Sequence, residues 1–284
     1  MDDADQKIAF QGACGAYSDL ACRGAHPELK TLPCHTFEDT FAAVHEGRAR
    51  LAMIPIDNSV AGRVADIHNL LPESGLHIIG EYFQRVDHHL LALPGTRTQE
   101  LTHVHSHVHA LPQCREVIRQ LGLEPVIYAD TAAGAKMISE LGDKTQAAIA
   151  SELAGKIYGL ESLRANIEDA EHNTTRFLIM SQERDFPRLN DKDWVTSFVF
   201  KVRNVPASLY KAMGGFSTNG VNMTKLESYM VDGFFYAAQF YAEIEGHLDE
   251  KNVQLAMEEL DFFTSWVKVM GVFPANKFRL EQRG

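Results

Sequence analysis

Residues 36–46 read Thr36-Phe37-Glu38-Asp39-Thr40-Phe41-Ala42-Ala43-Val44-His45-Glu46, and this stretch decides the kind of fold the chain adopts. Phe37, Phe41 and Val44 recur at i, i+4 and i+7, which is one face of an α-helix. Thr36 and Asp39 have capping-box-like spacing at its start. Short apolar runs flank it, Ile8 to Phe10 before and Leu51 to Ile56 after, and both read as strands. The pattern continues downstream. Leu111, Cys114, Val117, Ile118 and Leu121 form a second helical face closed by Gly122, and Val126 to Tyr128 and Ala147 to Ala150 read as strands running into helices. Such alternation predicts an α/β fold with parallel or mixed sheets covered by helices over residues 7–182. Residues 183–193 are polar, contain a proline and lack periodicity, and form the best linker candidate. Beyond them, over 194–280, come strand Thr196 to Val202, helix Ser208 to Gly214, strand Asn222 to Tyr229 and strand Phe234 to Glu243. A helix with Val253, Met257 and Leu260 on one side and strand Trp266 to Val272 complete a ferredoxin-like βαββαβ order.

The bulk numbers narrow the class. A chain of 284 residues with 45% hydrophobic and 23% charged content is ordinary for one large or two medium globular domains. No apolar run approaches the roughly 18–20 residues that span a bilayer, and the acidic N-terminus lacks the apolar core of a secretory signal, so a cytoplasmic protein without a membrane is expected. Cys14, Cys22, Cys34 and Cys114 show no Cys-x-x-Cys spacing and are expected as reduced thiols. With 27 basic against 38 acidic residues the net charge is −11, and no basic cluster offsets it, which excludes nucleic acid as a partner. A small anion can still bind where a few local cations and helix ends gather.

The segment richest in chemistry is His172-Asn173-Thr174-Thr175-Arg176-Phe177-Leu178-Ile179-Met180, in which amide and hydroxyl groups and one cation precede an apolar, strand-like run. It suits gripping a small carboxylate with Arg176 while a hydroxyl meets a second polar group. A loop-to-strand junction with capping threonines explains the same residues. Thr175-Arg176-Phe177 resembles the Thr-Arg-Phe hallmark of prephenate dehydratases. Gly12 to Ser18 resembles the family's glycine-bracketed loop, Ile54 to Gly62 its acidic-Asn-Ser motif, and Ser106-His107 with Gln113-Cys114 its Ser-His…Gln-Cys stretch. Ala207 to Met213 and Thr224 to Ser228 look like the two phenylalanine-binding motifs of an ACT regulatory domain. Six motifs in the family's order cover nearly the whole chain.

The resemblance implies a two-lobed catalytic domain similar to periplasmic binding proteins, with the Thr175 strand returning to the first lobe, followed by an ACT domain. It implies prephenate as substrate, lost carbon dioxide and hydroxide, and phenylpyruvate as product. Aromatisation drives that reaction, so no cofactor or metal is chemically required. Thr175 is expected to hydrogen-bond the leaving oxygen, and Arg176 to clamp a carboxylate or to orient Thr175. Asn173 and Thr174 bind substrate or cap a turn, while Phe177 packs under the site. Asn58-Ser59 is expected to end a strand and open a helix, making an anion site or a simple cap. Ser18 sits in the equivalent position after the first strand, in a loop whose glycines allow close approach to a ligand. His103, His105, His107 and His109 alternate and invite a metal reading on one strand face, but no carboxylate or cysteine pattern accompanies them. Ser106, His107 and Gln113 fit the resemblance better, with Gln113 starting a helix beside the cleft. In the regulatory region Ala207, Ser208, Leu209, Asn222, Glu227 and Ser228 are expected to receive L-phenylalanine as feedback inhibitor. Its place is an interface between two such domains in a homodimer or homotetramer.

The chain departs from the family at Ala16, where threonine is usual, and at Asp57, where glutamate is usual. Tyr229-Met230 follows Glu227-Ser228 in place of Arg-Pro, which bears on the strength of phenylalanine control. Arogenate dehydratase is a near alternative. A non-catalytic amino-acid sensor is a further one, disfavoured because a sensor needs no leaving-group donor. No chorismate mutase helices precede the first strand, so a monofunctional enzyme is expected.

Overall fold

The computed structural model describes residues 6–185, 187–190, 192–230 and 237–281. Its elements begin with β1 (Lys7–Gln11), α1 (Tyr17–Ala25), β2 (Lys30–Cys34), α2 (Phe37–His45), β3 (Leu51–Asn58), β4 (Gly62–Arg63), α3 (Ala65–Leu70) and β5 (His77–Arg85). There follow β6 (His89–Ala92), β7 (His103–His107), α4 (Arg115–Leu121), β8 (Glu124–Tyr128), α5 (Thr131–Leu141), β9 (Gln146–Ala150), α6 (Glu152–Tyr158) and β10 (Glu161–Arg164). The chain continues through β11 (Thr174–Ser181), β12 (Trp194–Val202), α7 (Ser208–Thr218), β13 (Met223–Met230), β14 (Ala237–Glu245), α8 (Lys251–Phe263), β15 (Thr264–Pro274) and α9 (Lys277–Glu281). By its contacts the chain forms two compact units, Met1–Val64 with Tyr82–Phe177, and Ala65–Glu81 with Leu178–Gly284. Strands β5 and β11 run from one unit into the other.

Helix α2 forms where the sequence predicts. Thr36 Oγ1 accepts from Asp39 N at 3.1 Å, satisfying a donor that the first turn leaves open, and Phe41 and Val44 turn inward. The strands on either side, β1 and β3, pair in parallel, with Ile8 opposite Leu51 and Phe10 opposite Met53. Both lie inside the sheet, so their side chains are buried on both faces and read as unbroken apolar runs. The sheet order is β2-β1-β3-β11-β5, with β4 paired to β3.

A second sheet, ordered β10-β6-β9-β7-β8, builds the other lobe of the first unit. Parallel or mixed sheets are expected, and both are mixed: β1 is parallel to β2 and β3 while β4 is antiparallel to β3, and β7 pairs in parallel with β8 and β9 while β6 runs antiparallel to β9 and to β10. Apolar patterning sets which residues are buried, whereas strand direction is set by the connections. The helix expected from Leu111 to Leu121 is broken. Leu111–Gln113 make a 3₁₀ turn with Pro112 near its start, and α4 begins only at Arg115; Gly122 caps it in the left-handed conformation with φ 63°.

In the second unit the strand order β13-β14-β12-β15, all antiparallel neighbours, is that of a ferredoxin-like βαββαβ fold. Its core is aromatic: Phe198 stacks on Phe216 at 5.8 Å and Phe200 on Phe240 at 5.2 Å, with Val253, Ala256 and Leu260 of α8 closing over them. Each buried phenylalanine, valine or leucine among them contributes about 1.5–3 kcal/mol by leaving water. The start expected for β14 at Phe234 lies outside the described residues. Arg279 of α9 binds the fully buried carboxylates of Glu81 at 2.8 Å and Glu243 at 2.6 Å. Among the described residues no helix is long and apolar enough to cross a membrane.

Candidate active site

The loop from Gly12 to Ala16 joins β1 to α1 and is held by the other lobe of the same unit. Ala13 N donates to Asp130 Oδ2 at 3.1 Å, Ser151 Oγ to Gly15 O at 2.5 Å, and Tyr158 OH to Cys14 O at 2.9 Å. Gly15 has φ 88°, and a Cβ there would stand 2.7 Å from Ala154 Cα, so glycine is required twice over. The close approach expected for a ligand is here an approach to the backbone of α6. Ser18 is half-buried in the first turn of α1.

The Asn58-Ser59 pair does not open a helix, contrary to the sequence expectation. Asn58 ends β3, its Oδ1 accepts from Val60 N at 3.0 Å and Ala61 N at 2.7 Å, and the chain turns through Gly62 (φ 84°) into β4. Helix α3 starts only at Ala65, so no helix dipole is aimed from this turn. The side-chain carbonyl instead closes an Asx turn, a local bond that competes with helix formation. Ser59 bridges to the Thr175 strand: its Oγ donates to His172 O at 2.7 Å and accepts from Thr174 N at 2.9 Å, while Ser59 N donates to Thr174 O at 2.9 Å.

These turns bring a line of polar side chains together. Asn58 Nδ2 donates to Thr175 Oγ1 at 2.9 Å and to Asn173 Oδ1 at 2.8 Å. Asn173, 1% exposed, donates through Nδ2 to Gln113 Oε1 at 2.8 Å. That oxygen lies 3.1 Å from His88 Nε2, and His88 Nδ1 lies 2.9 Å from the Tyr17 hydroxyl, which reaches Asp87 O at 2.7 Å. Burial is the main cause that holds the His88 imidazole below its usual pKa and the Tyr17 phenol well above its own, so both are neutral near pH 7. Thr175 is half-buried, and among the described residues its hydroxyl makes no other side-chain hydrogen bond.

Arg176 is 7% exposed, with Nη1 3.7 Å from Asp57 Oδ2. Its charge is therefore countered locally by a carboxylate. Phe177, 1% exposed, is core. Ser106 is a correction: it is fully buried, and its Oγ donates to Ile149 O at 2.6 Å, across the paired strands β7 and β9. His105 is also buried, with Nε2 2.7 Å from Gln146 Oε1, His109 lies beyond β7, and no group of metal-capable side chains gathers among the described residues. His107 is half-buried, and its Nδ1 accepts from His109 N at 3.3 Å. Sequence reading missed His88, which carries no motif of its own, and passed over Tyr17 within the glycine-bracketed loop.

In the second unit Ala207, Ser208 and Leu209 line a recess of about 270 Å³ with Arg203, Val205 and Phe240. Ala207 precedes α7 at φ 64°, and the Ser208 hydroxyl donates to Val205 O at 2.9 Å. Asn222, Glu227 and Ser228 are not among the residues that line it: Asn222 Nδ2 donates to Glu245 at 3.1 Å, Glu227 lies 3.5 Å from Lys225, and Ser228 is exposed. Tyr229, which follows Ser228 where the resemblance implies arginine, is buried; its hydroxyl accepts from Gln239 Nε2 at 2.6 Å, and burial pushes its pKa up to about 12.

A two-lobed α/β unit with a hydrogen-bonded polar line between its lobes, followed by a ferredoxin-like sheet, makes up this mixed α/β protein. Residues 8–185 match the family model described as prephenate dehydratase, and the chain belongs to that family. It is 51% identical, over 98% of its length and 99% of the relative's, to a bifunctional N-acyl-homoserine lactone acylase/prephenate dehydratase of Komagataeibacter europaeus. It is 36% identical to arogenate dehydratase/prephenate dehydratase 1 of Arabidopsis thaliana, over 98% of this chain and 74% of that one. Among solved structures it superposes on the prephenate dehydratase of Arthrobacter aurescens in complex with L-Phe with a TM-score of 0.86 at 26% identity, covering 95% of this chain and 90% of that one. It also superposes on GqqA, described as a novel type of quorum-quenching acylase, with a TM-score of 0.90 at 52% identity, covering 96% and 99%.

Proposed function

We propose that this chain converts prephenate to phenylpyruvate, with the Thr175 hydroxyl donating a hydrogen bond to the departing oxygen. The ring carboxylate leaves as carbon dioxide, its bonding pair enters the ring, and the carbon–oxygen bond at the opposite ring carbon breaks. The hydroxide so released takes up a proton and leaves as water. Charge grows on that oxygen as it departs, and a donor already in place lowers the barrier, because no water has to reorient. One observation carries the assignment. Asn58 Nδ2 occupies a lone pair of Thr175 Oγ1, so the hydroxyl proton is directed away from Asn58 and is available to a ligand. Purified protein with Thr175→Ala should lose about 10²–10³-fold in kcat, with Thr175→Ser losing far less. Phenylpyruvate absorbance reports both, and parental turnover in Thr175→Ala removes the residue from the mechanism.

The recess at Ala207, Ser208 and Leu209 supports L-phenylalanine as an allosteric inhibitor bound by an ACT domain, in a homodimer or homotetramer whose states bind it unequally. Titrating L-phenylalanine into the assay should lower the rate, and a flat titration refutes regulation. Domain limits of 7–182 for catalysis and 194–280 for regulation accompany this reading. Arogenate is the second substrate to supply, since the Arabidopsis relative carries both names. The 51% identical relative is also named as an acylase, so the same preparation should be offered an N-acyl-homoserine lactone; a freed primary amine would establish that second activity here.

A further inference from the structure

The amide orientations in the site can be followed outward from one fixed end. Asn58 Oδ1 accepts from the backbone N–H groups of Val60 and Ala61, so the atom it turns toward Asn173 and Thr175 is its NH₂. An NH₂ there requires an oxygen of Asn173 opposite, which leaves the Asn173 NH₂ facing Gln113. Gln113 must then present its oxygen, and the same oxygen faces His88 Nε2 at 3.1 Å. Two acceptors cannot share a hydrogen bond, so Nε2 carries a proton. On the far side of the ring, Nδ1 meets the Tyr17 hydroxyl at 2.9 Å. In the neutral ring Nδ1 is an acceptor and competes with Asp87 O, 2.7 Å from the same hydroxyl, for the one Tyr17 proton. In the imidazolium it donates to Tyr17, whose own proton then goes to Asp87 O. Nε2–H is present in both states.

We propose that His88 is a positioning residue for the reaction, its Nε2–H holding Gln113 and, through Asn173 and Asn58, keeping the Thr175 proton turned toward the leaving oxygen. The line thus has an anchor at each end: a backbone turn at Val60 and Ala61, and an imidazole of fixed tautomer between Tyr17 and Gln113. The turn sets the polarity, and Nε2–H is the donor that this polarity requires at the other end. Remove His88, and Gln113 Oε1 keeps only the Asn173 donor and can swing, loosening the 1%-exposed Asn173 that shares the Asn58 NH₂ with Thr175. The charged and titratable groups around the ring are Tyr17, Asp87, His89 and Glu168; the Glu168 carboxylate accepts from His88 N at 2.9 Å. This inference rests on the reading of Thr175 as the donor.

The test compares His88→Gln, His88→Asn and His88→Leu in the full chain, with Thr175→Ala and the double variant His88→Leu/Thr175→Ala, by phenylpyruvate formation from prephenate. A glutamine nitrogen reaches the place of Nε2, whereas asparagine reaches only that of Nδ1. His88→Leu and His88→Asn should lower kcat about 10–100-fold with KM changed less than about threefold, and His88→Gln should restore kcat to within about fivefold. In the double variant the leucine should cost nothing beyond Thr175→Ala. Parental kcat in His88→Leu, or equal losses for Gln and Leu, overturns the role of His88 while leaving that of Thr175 intact. Parental kcat in Thr175→Ala instead sinks the reading of Thr175 and this inference with it. The ¹⁵N shifts of the His88 ring in the unaltered protein need no variant: Nε2 should be protonated and Nδ1 bare near neutral pH, and the reverse tautomer overturns the inference.

Discussion

Asn58→Asp is the sharpest perturbation of the site, because it changes one NH₂ to oxygen and leaves shape almost untouched. In the parent that NH₂ lies 2.8 Å from Asn173 Oδ1 and 2.9 Å from Thr175 Oγ1. With a carboxylate in its place, the oxygen retained at the turn still accepts from Val60 and Ala61, but the other oxygen faces two acceptors. Thr175 answers by rotating its proton onto the new carboxylate, which withdraws the donor from the substrate. Asn173 answers by reversing its amide, Gln113 must then reverse as well, and His88 must accept at Nε2 and hold its proton on Nδ1. Every buried group keeps a partner, so the folding free energy should move by less than about 1 kcal/mol, below the about 1–3 kcal/mol of an orphaned buried polar group. Loss of one preorganised donor to a developing anion is worth about 2.7–4 kcal/mol, or 10²–10³ in kcat. The assay is phenylpyruvate formation, with urea unfolding on the same preparation. Turnover within about threefold of the parent would refute the hydrogen-bond polarity argued for this site.

Other outcomes follow from the same geometry. Gly15→Ala sets a methyl 2.7 Å from Ala154 Cα at φ 88° and should cost about 1–3 kcal/mol or more in urea unfolding; a smaller change would mean that the loop relaxes freely. Stability should also depend on pH through histidine. Burial lowers the pKa of His88, His107 and His77 in the folded chain, so on acidification the unfolded chain takes up the protons first. Stability is then full above about pH 6.5 and falls as pH drops through that value toward the lowered folded pKa values. Carboxylates with lowered pKa, such as Glu100 and Asp143, lose their contribution only below about pH 4.5, so they leave this window clear. The urea midpoint should decrease between about pH 7.5 and 5.5, and less so in His88→Gln; a midpoint that rises on acidification contradicts the burial of neutral imidazoles.

Much of the fold was legible because it depends on local pattern. The Phe37, Phe41, Val44 stripe with its Thr36 cap made α2, and the apolar runs at Ile8 and Leu51 made paired strands. The βαββαβ order of the second unit was readable because each element carries its own period. Short or irregular elements were not. The strand at Lys30–Cys34 contains Pro33 and alternates poorly, and Asn58-Ser59 looked like a helix start because an asparagine that closes a strand-end turn has the same local chemistry as one that caps a helix.

The sequence alone determined the longer periodic elements, the buried runs and the presence of a hydroxyl beside an arginine at 175 and 176. Only the tertiary structure decided what those groups meet. Asn58 pairs with Thr175 across 117 positions, Gln113 with Asn173 across 60, and His88 with Gln113 across 25. Hydrogen-bond polarity belongs to a pair of atoms and not to a residue, so the direction of the Thr175 proton exists only once those distant amides are face to face.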